Sequence, residues 1–117
     1  MAKLYIPRVK NFAEFLHATP QILRVGHNRW IEKYPANGFL HGKLCGHAIF
    51  ELTDKGELTL DPCGYRTVTT RQAMKDFGRL FGIAVSASFA KDGFSALING
   101  ADYEAGISGM IGVQVVL

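Results

Sequence analysis

Residues 47 to 62 read HAIFELTDKGELTLDP, and the pairing of this run decides the fold class. A three-residue loop at Asp54, Lys55 and Gly56, with Gly56 left-handed, sets Leu52 opposite Leu58, Phe50 opposite Leu60 and Ala48 opposite Pro62. The apolar sides then coincide on one face, as an antiparallel hairpin over a core requires. A second hairpin is read in VSASFAKDGFSALING, residues 85 to 100. There a two-residue Asp92-Gly93 turn pairs Phe89 with Ala96 and Ala87 with Ile98. Its other face is small and polar, with Ser86, Ser88, Ser95 and Asn99.

Between the hairpins lies a helix. Thr69 with Gln72 three residues on has the form of a capping box, Ala73, Phe77, Leu80 and Phe81 recur at helical spacing, and Gly82 stands where the helix ends. An earlier helix opens at Asn11, where Glu14 completes a cap and Phe12, Phe15 and Leu16 share a face; it ends by Ala18, before Thr19-Pro20. Residues 19 to 25 suit a short helix or a strand ILRV equally. NRWIEKY, residues 28 to 34, reads as a strand, Pro35 to Gly46 as loop, and MIGVQVVL at 110 to 117 as a final buried strand. The expectation is therefore an α+β fold, one antiparallel sheet built from hairpins with two or three helices on one face.

The 117 residues suit a single globular domain, 48% hydrophobic and 20% charged, which speaks against disorder or a fibrous repeat. Charges and Pro7 interrupt the N-terminal apolar residues before they reach signal-peptide length, and no run approaches a membrane span. A soluble cytoplasmic chain is expected. Two cysteines, Cys45 and Cys63, are too few for a disulfide framework. The net charge of +3 divides unevenly, +5 over residues 1 to 43 and −2 over the remainder, without any basic run. That pattern sets no strong nucleic-acid signature.

Candidate chemistry gathers where the helix begins. A helix N-terminus offers unpaired N–H groups, so Thr69, Thr70, Arg66 and Arg71 form a candidate phosphate or carboxylate site, against the plainer reading of a cap with solvated arginines. Arg71, Lys75 and Arg79 recur every fourth residue as a basic stripe suited to a nucleic-acid backbone or to solvent, with Asp76 diluting it. Phe39 after Asn37-Gly38 and Phe94 beside the second turn are candidate anchors for a protein partner. Cys45, His47 and Cys63, with His41 as a fourth donor, outline a partial metal site or a thiol–histidine pair, although paired C-x-x-C knuckles are missing. No cofactor motif is present, and no carboxylate spacing predicts a catalytic pair.

The run CGYRTVTTRQAM, Cys63 to Met74, resembles a motif of small bacteriophage proteins of uncharacterised function: an aromatic residue after glycine, a threonine-rich turn and a basic helix start. The likeness extends toward VSASFAKDGFSAL and does not cover the first forty residues. In those relatives a basic residue and an asparagine flank the position of Met74, where this chain has Ala73 and Lys75. The resemblance implies a phage or prophage setting and an accessory role in the host cytoplasm, and supplies no catalytic residue. Two functions follow as expectations: a non-catalytic accessory protein that binds a host or phage protein, with self-association open, or a nucleic-acid or phosphate-binding module using the basic helix.

Overall fold

The chain alternates short elements in the order α1 (Phe12–His17), β1 (Ile22–Gly26), β2 (Arg29–Tyr34), β3 (Phe39–Leu44), β4 (His47–Thr53), β5 (Glu57–Leu60), α2 (Val68–Leu80), β6 (Val85–Ala90), β7 (Gly93–Ile98), β8 (Ala101–Gly106) and β9 (Ile111–Gln114). A computed structural model describes residues 4–106 and 109–117 of the sequence. The fold is α+β with all strand pairs antiparallel, but the strands form two sheets rather than one. Six strands in the order β1-β2-β3-β4-β5-β9 make the larger sheet, and β6-β7-β8 the smaller.

The β4–β5 hairpin has Leu52 against Leu58 and Phe50 against Leu60, with Gly56 at φ 80° in the loop. The ladder ends at Leu60, because Cys63 and Gly64 adopt φ of 55° and 81° and turn the chain away before Ala48 meets Pro62 or His47 meets Cys63. Residues 39 to 44, expected as loop, form β3. Gly42 disguises it in the sequence, and the structure gives the reason for that glycine: a Cβ there would lie 2.8 Å from the ring of Phe77. Glycine inside a strand marks a close approach, here of the helix side chain that centres the core. A bulge opposite Lys43 sets both Ile49 and Phe50 inward.

The second hairpin differs by one residue at its turn. Lys91 and Asp92 form the loop, so Phe89 pairs with Phe94 and Ala87 with Ala96, not with Ala96 and Ile98. Both registers keep the same residues on the same face, since they differ by two positions in the partner. The observed one adds contact between the Phe89 and Phe94 rings, whose centroids are 5.4 Å apart. Residues 101 to 106, unforeseen because they are small and charged, extend this sheet as β8. Residues 19 to 25 resolve in favour of strand over most of their length, and β9 is only half-buried, not the wholly buried strand expected.

Two α-helices, not three, occur among the described residues. In α2 the cap is Thr67, not Thr69: the Thr67 hydroxyl accepts the Thr70 N–H at 3.1 Å. Starting there places Thr70, Ala73, Met74 and Phe77 together in the core. Gly82, at φ 73°, follows the last turn in the left-handed conformation that releases the chain from the helix. One flank of α2 meets the large sheet through Phe77 and Phe50, rings 5.7 Å apart, while Gly78 lets β6 approach so closely that a Cβ would sit 2.7 Å from Val85. Helix α1 is capped by Asn11 and inserts Phe12 and Phe15 edge-on against Phe81 at 5.6 and 5.8 Å.

Strand β2 turns two cations inward. Lys33 donates to the Ala18 carbonyl at 3.1 Å with its ammonium 4.0 Å above the Phe15 ring, and burial lowers its pKa. Arg29 reaches Asp76 of α2 at 3.5 Å, and neither is appreciably exposed. Asp76 also accepts from Gln72 at 3.1 Å, with Arg79 at 3.9 Å. It is thus a buried link from helix to sheet, not a surface acid diluting the basic stripe.

Candidate functional site

The exposed side of α2 ends beside β6, and the space between them is a groove of about 540 Å³. Lys75 and Arg79 stand on its helix wall because they lie on the solvent arc left over once Ala73, Met74 and Phe77 face the core. Gly82 to Ser86 form the floor and opposite wall, with Leu97, half-exposed, beyond. Arg8 enters from the N-terminal segment, which is tied to the helix end by the Val9 N–H donating to the Leu80 carbonyl at 2.7 Å. The guanidinium of Arg8 lies over Gly82, in space that any side chain at that position would claim. Among the described residues no carboxylate lines the groove, although Asp76 lies 3.9 Å from Arg79 behind the helix wall. Apolar walls with cations of one sign focus the potential on an entering anion.

Only part of the expected anion site assembles here. Arg66 is turned from the helix start into the second hairpin, donating to the carbonyls of Gly93 at 2.6 Å and Lys91 at 3.4 Å, with Phe89 under its guanidinium. Thr70 is buried, its hydroxyl 3.1 Å from that of Thr67, and with Thr67 and Thr69 it lines a separate cavity of about 300 Å³ that also touches Cys45 and His47. Thr69 and Arg71 are exposed, but neither borders the groove. Lys75 and Arg79 are the two predicted cations that converge, and Arg8 is the one that sequence reasoning missed. Nothing near Arg8 in the sequence signals its role; only the return of the chain onto the helix end brings it there.

Phe94 is buried at 2% exposure and belongs to the core, so it is no surface anchor. The hairpin tip lies at Lys91 and Asp92, which turns the Phe94 ring inward opposite Phe89. Phe39 is half-buried on the outer face of the large sheet, stacked on Tyr34 at 4.8 Å and close to His41. The same face carries Arg24 between the Tyr5 and Trp30 rings at 5.4 and 6.0 Å.

Cys45 and His47 border one cavity at the start of α2, whereas Cys63 and His41 stand outside it. Cys45 is exposed in a tight turn with φ 50°, while Cys63 donates its thiol to the Ala48 carbonyl at 3.3 Å. Burial, with Asp61 beside it, pushes the Cys63 thiol up, which suppresses the thiolate needed for a nucleophile or metal ligand. The His47 ring lies against Tyr65 at 4.5 Å, and His41 is bound to Glu51 at 2.9 Å. Among the described residues no three metal-ligating side chains converge. No described helix is long and apolar enough to cross a membrane. Compared with protein-family models, curated proteins and solved structures, the chain matches none.

Proposed function

We propose that the chain is a non-catalytic binding domain that takes an acidic partner protein in the groove between α2 and β6. The observation that carries this reading is the convergence of Arg8 and Lys75, with Arg79 beside them in its contact with Asp76, around an apolar floor. Apolar contact supplies affinity, and the one-sided charge supplies selection and rate of encounter. A phage-type accessory role in a host cytoplasm, with a host or phage protein as the partner, rests on the likeness of Cys63 to Met74 alone.

A nucleic-acid or phosphate-binding module is the second reading, favoured by the same two stripe cations, Lys75 and Arg79. It is weakened by the engagement of Arg66, which leaves no lysine or arginine bordering the cavity at the helix start among the described residues. The test compares wild type with Arg8→Glu/Lys75→Glu as bait in bacterial lysate, with and without nuclease. A defined protein retained by wild type after nuclease and lost by the variant supports the proposal. Recovery of nucleic acid alone favours the second reading, and equal recovery of the protein by both baits removes the groove from the function.

A further inference from the structure

The cavity of about 300 Å³ at the start of α2 shares no residue with the groove farther along the helix. Two reversals of the chain build it. The turn at Cys45 and Gly46, with φ of 50° and 87°, joins β3 to β4 and brings Leu44 and Ile49 to its apolar floor, both buried. The reversal at Cys63 and Gly64 then returns Tyr65, half-exposed, against the exposed His47 ring at 4.5 Å, and this aromatic pair forms a wall.

Charge is the first constraint on what enters. Among the described residues no lysine, arginine, aspartate or glutamate borders the cavity. A charged molecule would give up its water against Leu44 and Ile49 with no counter-ion to replace it, which is costly. The helix start adds only a partial charge that fades within the first turn.

A spare hydrogen-bond donor is the second constraint. The Thr67 and Thr70 hydroxyls are 3.1 Å apart, and the Thr67 oxygen also accepts the Thr70 N–H at 3.1 Å. Each hydroxyl carries one hydrogen, so the bond between them uses one of the two, whichever residue donates. The other hydrogen has no acceptor among the described residues, and both threonines border the cavity.

We propose that this cavity is a second ligand site, independent of the groove, for a small uncharged molecule with an aromatic body and one carbonyl-type oxygen. The ring lies over Leu44 and Ile49 beside the His47–Tyr65 pair, and the oxygen accepts from the threonine pair. A volume of about 300 Å³ stands at the small end of ligand pockets, which suits one substituted ring and is too small for a nucleotide.

The probe is acetophenone, titrated into the full chain and followed by backbone amide shifts. Two molecules of closely similar shape are the controls: α-methylstyrene, in which a methylene replaces the oxygen, and benzoate, which adds a charge. The expected result is saturable binding of acetophenone, with shifts concentrated at residues 44–49 and 65–70. α-Methylstyrene binds about tenfold more weakly for want of the hydrogen bond. Benzoate also binds about tenfold more weakly, since its charge must be desolvated. Tyr65→Ala and, separately, His47→Ala each weaken acetophenone about tenfold by removing part of the aromatic wall, with urea unfolding confirming that the variants fold. Arg8→Glu/Lys75→Glu binds acetophenone as wild type does.

Absence of saturable acetophenone binding, or shifts confined to the groove, overturns the proposal. Equal binding of α-methylstyrene removes the threonine pair as the recognising donor, and benzoate bound as tightly as acetophenone makes this an anion site at the helix start. Either result overturns the uncharged acceptor as ligand. Loss of acetophenone binding in Arg8→Glu/Lys75→Glu overturns the independence of the two sites. The groove keeps its own lysate comparison, which none of the acetophenone titrations of wild type decides.

Discussion

Asp76→Ala is expected to be the most costly single polar substitution in this domain. The carboxylate is fully buried in α2 and faces Arg29, itself 5% exposed, on β2. Removing it leaves a guanidinium inside the protein with one remaining bond, to the His27 carbonyl at 3.0 Å. Breaking a buried ion pair from one side costs about 3–5 kcal/mol, because the surviving charge is left uncompensated. The pair here is loose at 3.5 Å, and among the described residues Asp76 Oδ2 and Arg29 Nε make no hydrogen bond, so the lower end, about 3 kcal/mol, applies. For a chain of this length that lowers Tm by about 12 °C. Urea unfolding of four proteins measures it: wild type, Asp76→Ala, Arg29→Met and the double variant Arg29→Met/Asp76→Leu. The double variant should return to within about 1 kcal/mol of wild type, since apolar residues of similar size commonly replace a buried pair without loss. A single variant within about 0.5 kcal/mol of wild type, or a double variant as unstable as the two singles combined, would refute the reasoning.

The cap position is tested by a matched pair: Thr67→Ala should lower unfolding free energy by about 1 kcal/mol, while Thr69→Ala, exposed and outside the cap, should change it by less than about 0.5 kcal/mol. Reversed magnitudes would return the cap to Thr69. The Glu32–Lys43 pair, 2.6 Å apart on the outer sheet face, predicts a pH signature. The Lys43 ammonium, then the Tyr34 hydroxyl, hold the Glu32 carboxyl below its usual 4.5, so its contribution is present above that pH and is lost as pH falls through the folded value. Glu32 in turn raises Lys43 above 10.5, so that contribution is present below that pH and is lost as pH rises through the folded value. The stability difference between wild type and Lys43→Met, about 0.5–1 kcal/mol, should thus be flat across neutral pH and shrink at both extremes; denaturant unfolding from acid to alkaline pH checks it, and a difference that grows toward acid contradicts the pairing.

What the sequence disclosed follows the strength of each local signal. The β4–β5 register was legible because alternation and a left-handed glycine agree, so one slip would expose Phe50, Leu52, Leu58 and Leu60 together. The second hairpin offered no such discrimination, because its two candidate turns leave the inward set unchanged. Strand β3 was hidden by Gly42, whose purpose is visible only with Phe77 above it. Strand β2 reads ambiguously because Arg29 and Lys33 occupy inward positions that an alternating pattern reserves for apolar residues. The partners that make them tolerable there, Asp76 and the Phe15 ring, lie on other elements.

The site was legible by half. Lys75 and Arg79 declare themselves through helical spacing, whereas Arg8 depends on how a distant segment is brought alongside α2. Arg66 was a plausible anion ligand as a residue, and lost that role to the second hairpin. The cap expected of Thr69 with Gln72 fell to Thr67 instead, the start that buries Thr70 with Phe77.

The place of β9 has a consequence for biosynthesis. Strand β5 pairs with β4 on one side and with β9 on the other, Leu58 against Val113 and Leu60 against Ile111. The ribosome delivers α2 and the whole of the small sheet between them. Throughout that interval the nascent large sheet ends in a short apolar strand with bare N–H and C=O groups, a template for pairing with neighbouring chains. Protection arrives only when residues 111–114 emerge and dock. A chain stalled or cleaved before Ile111 therefore carries five strands of the sheet with a sticky margin, and its fate is set by chaperone capture or by encounter with another such chain, even though every hairpin within it is formed.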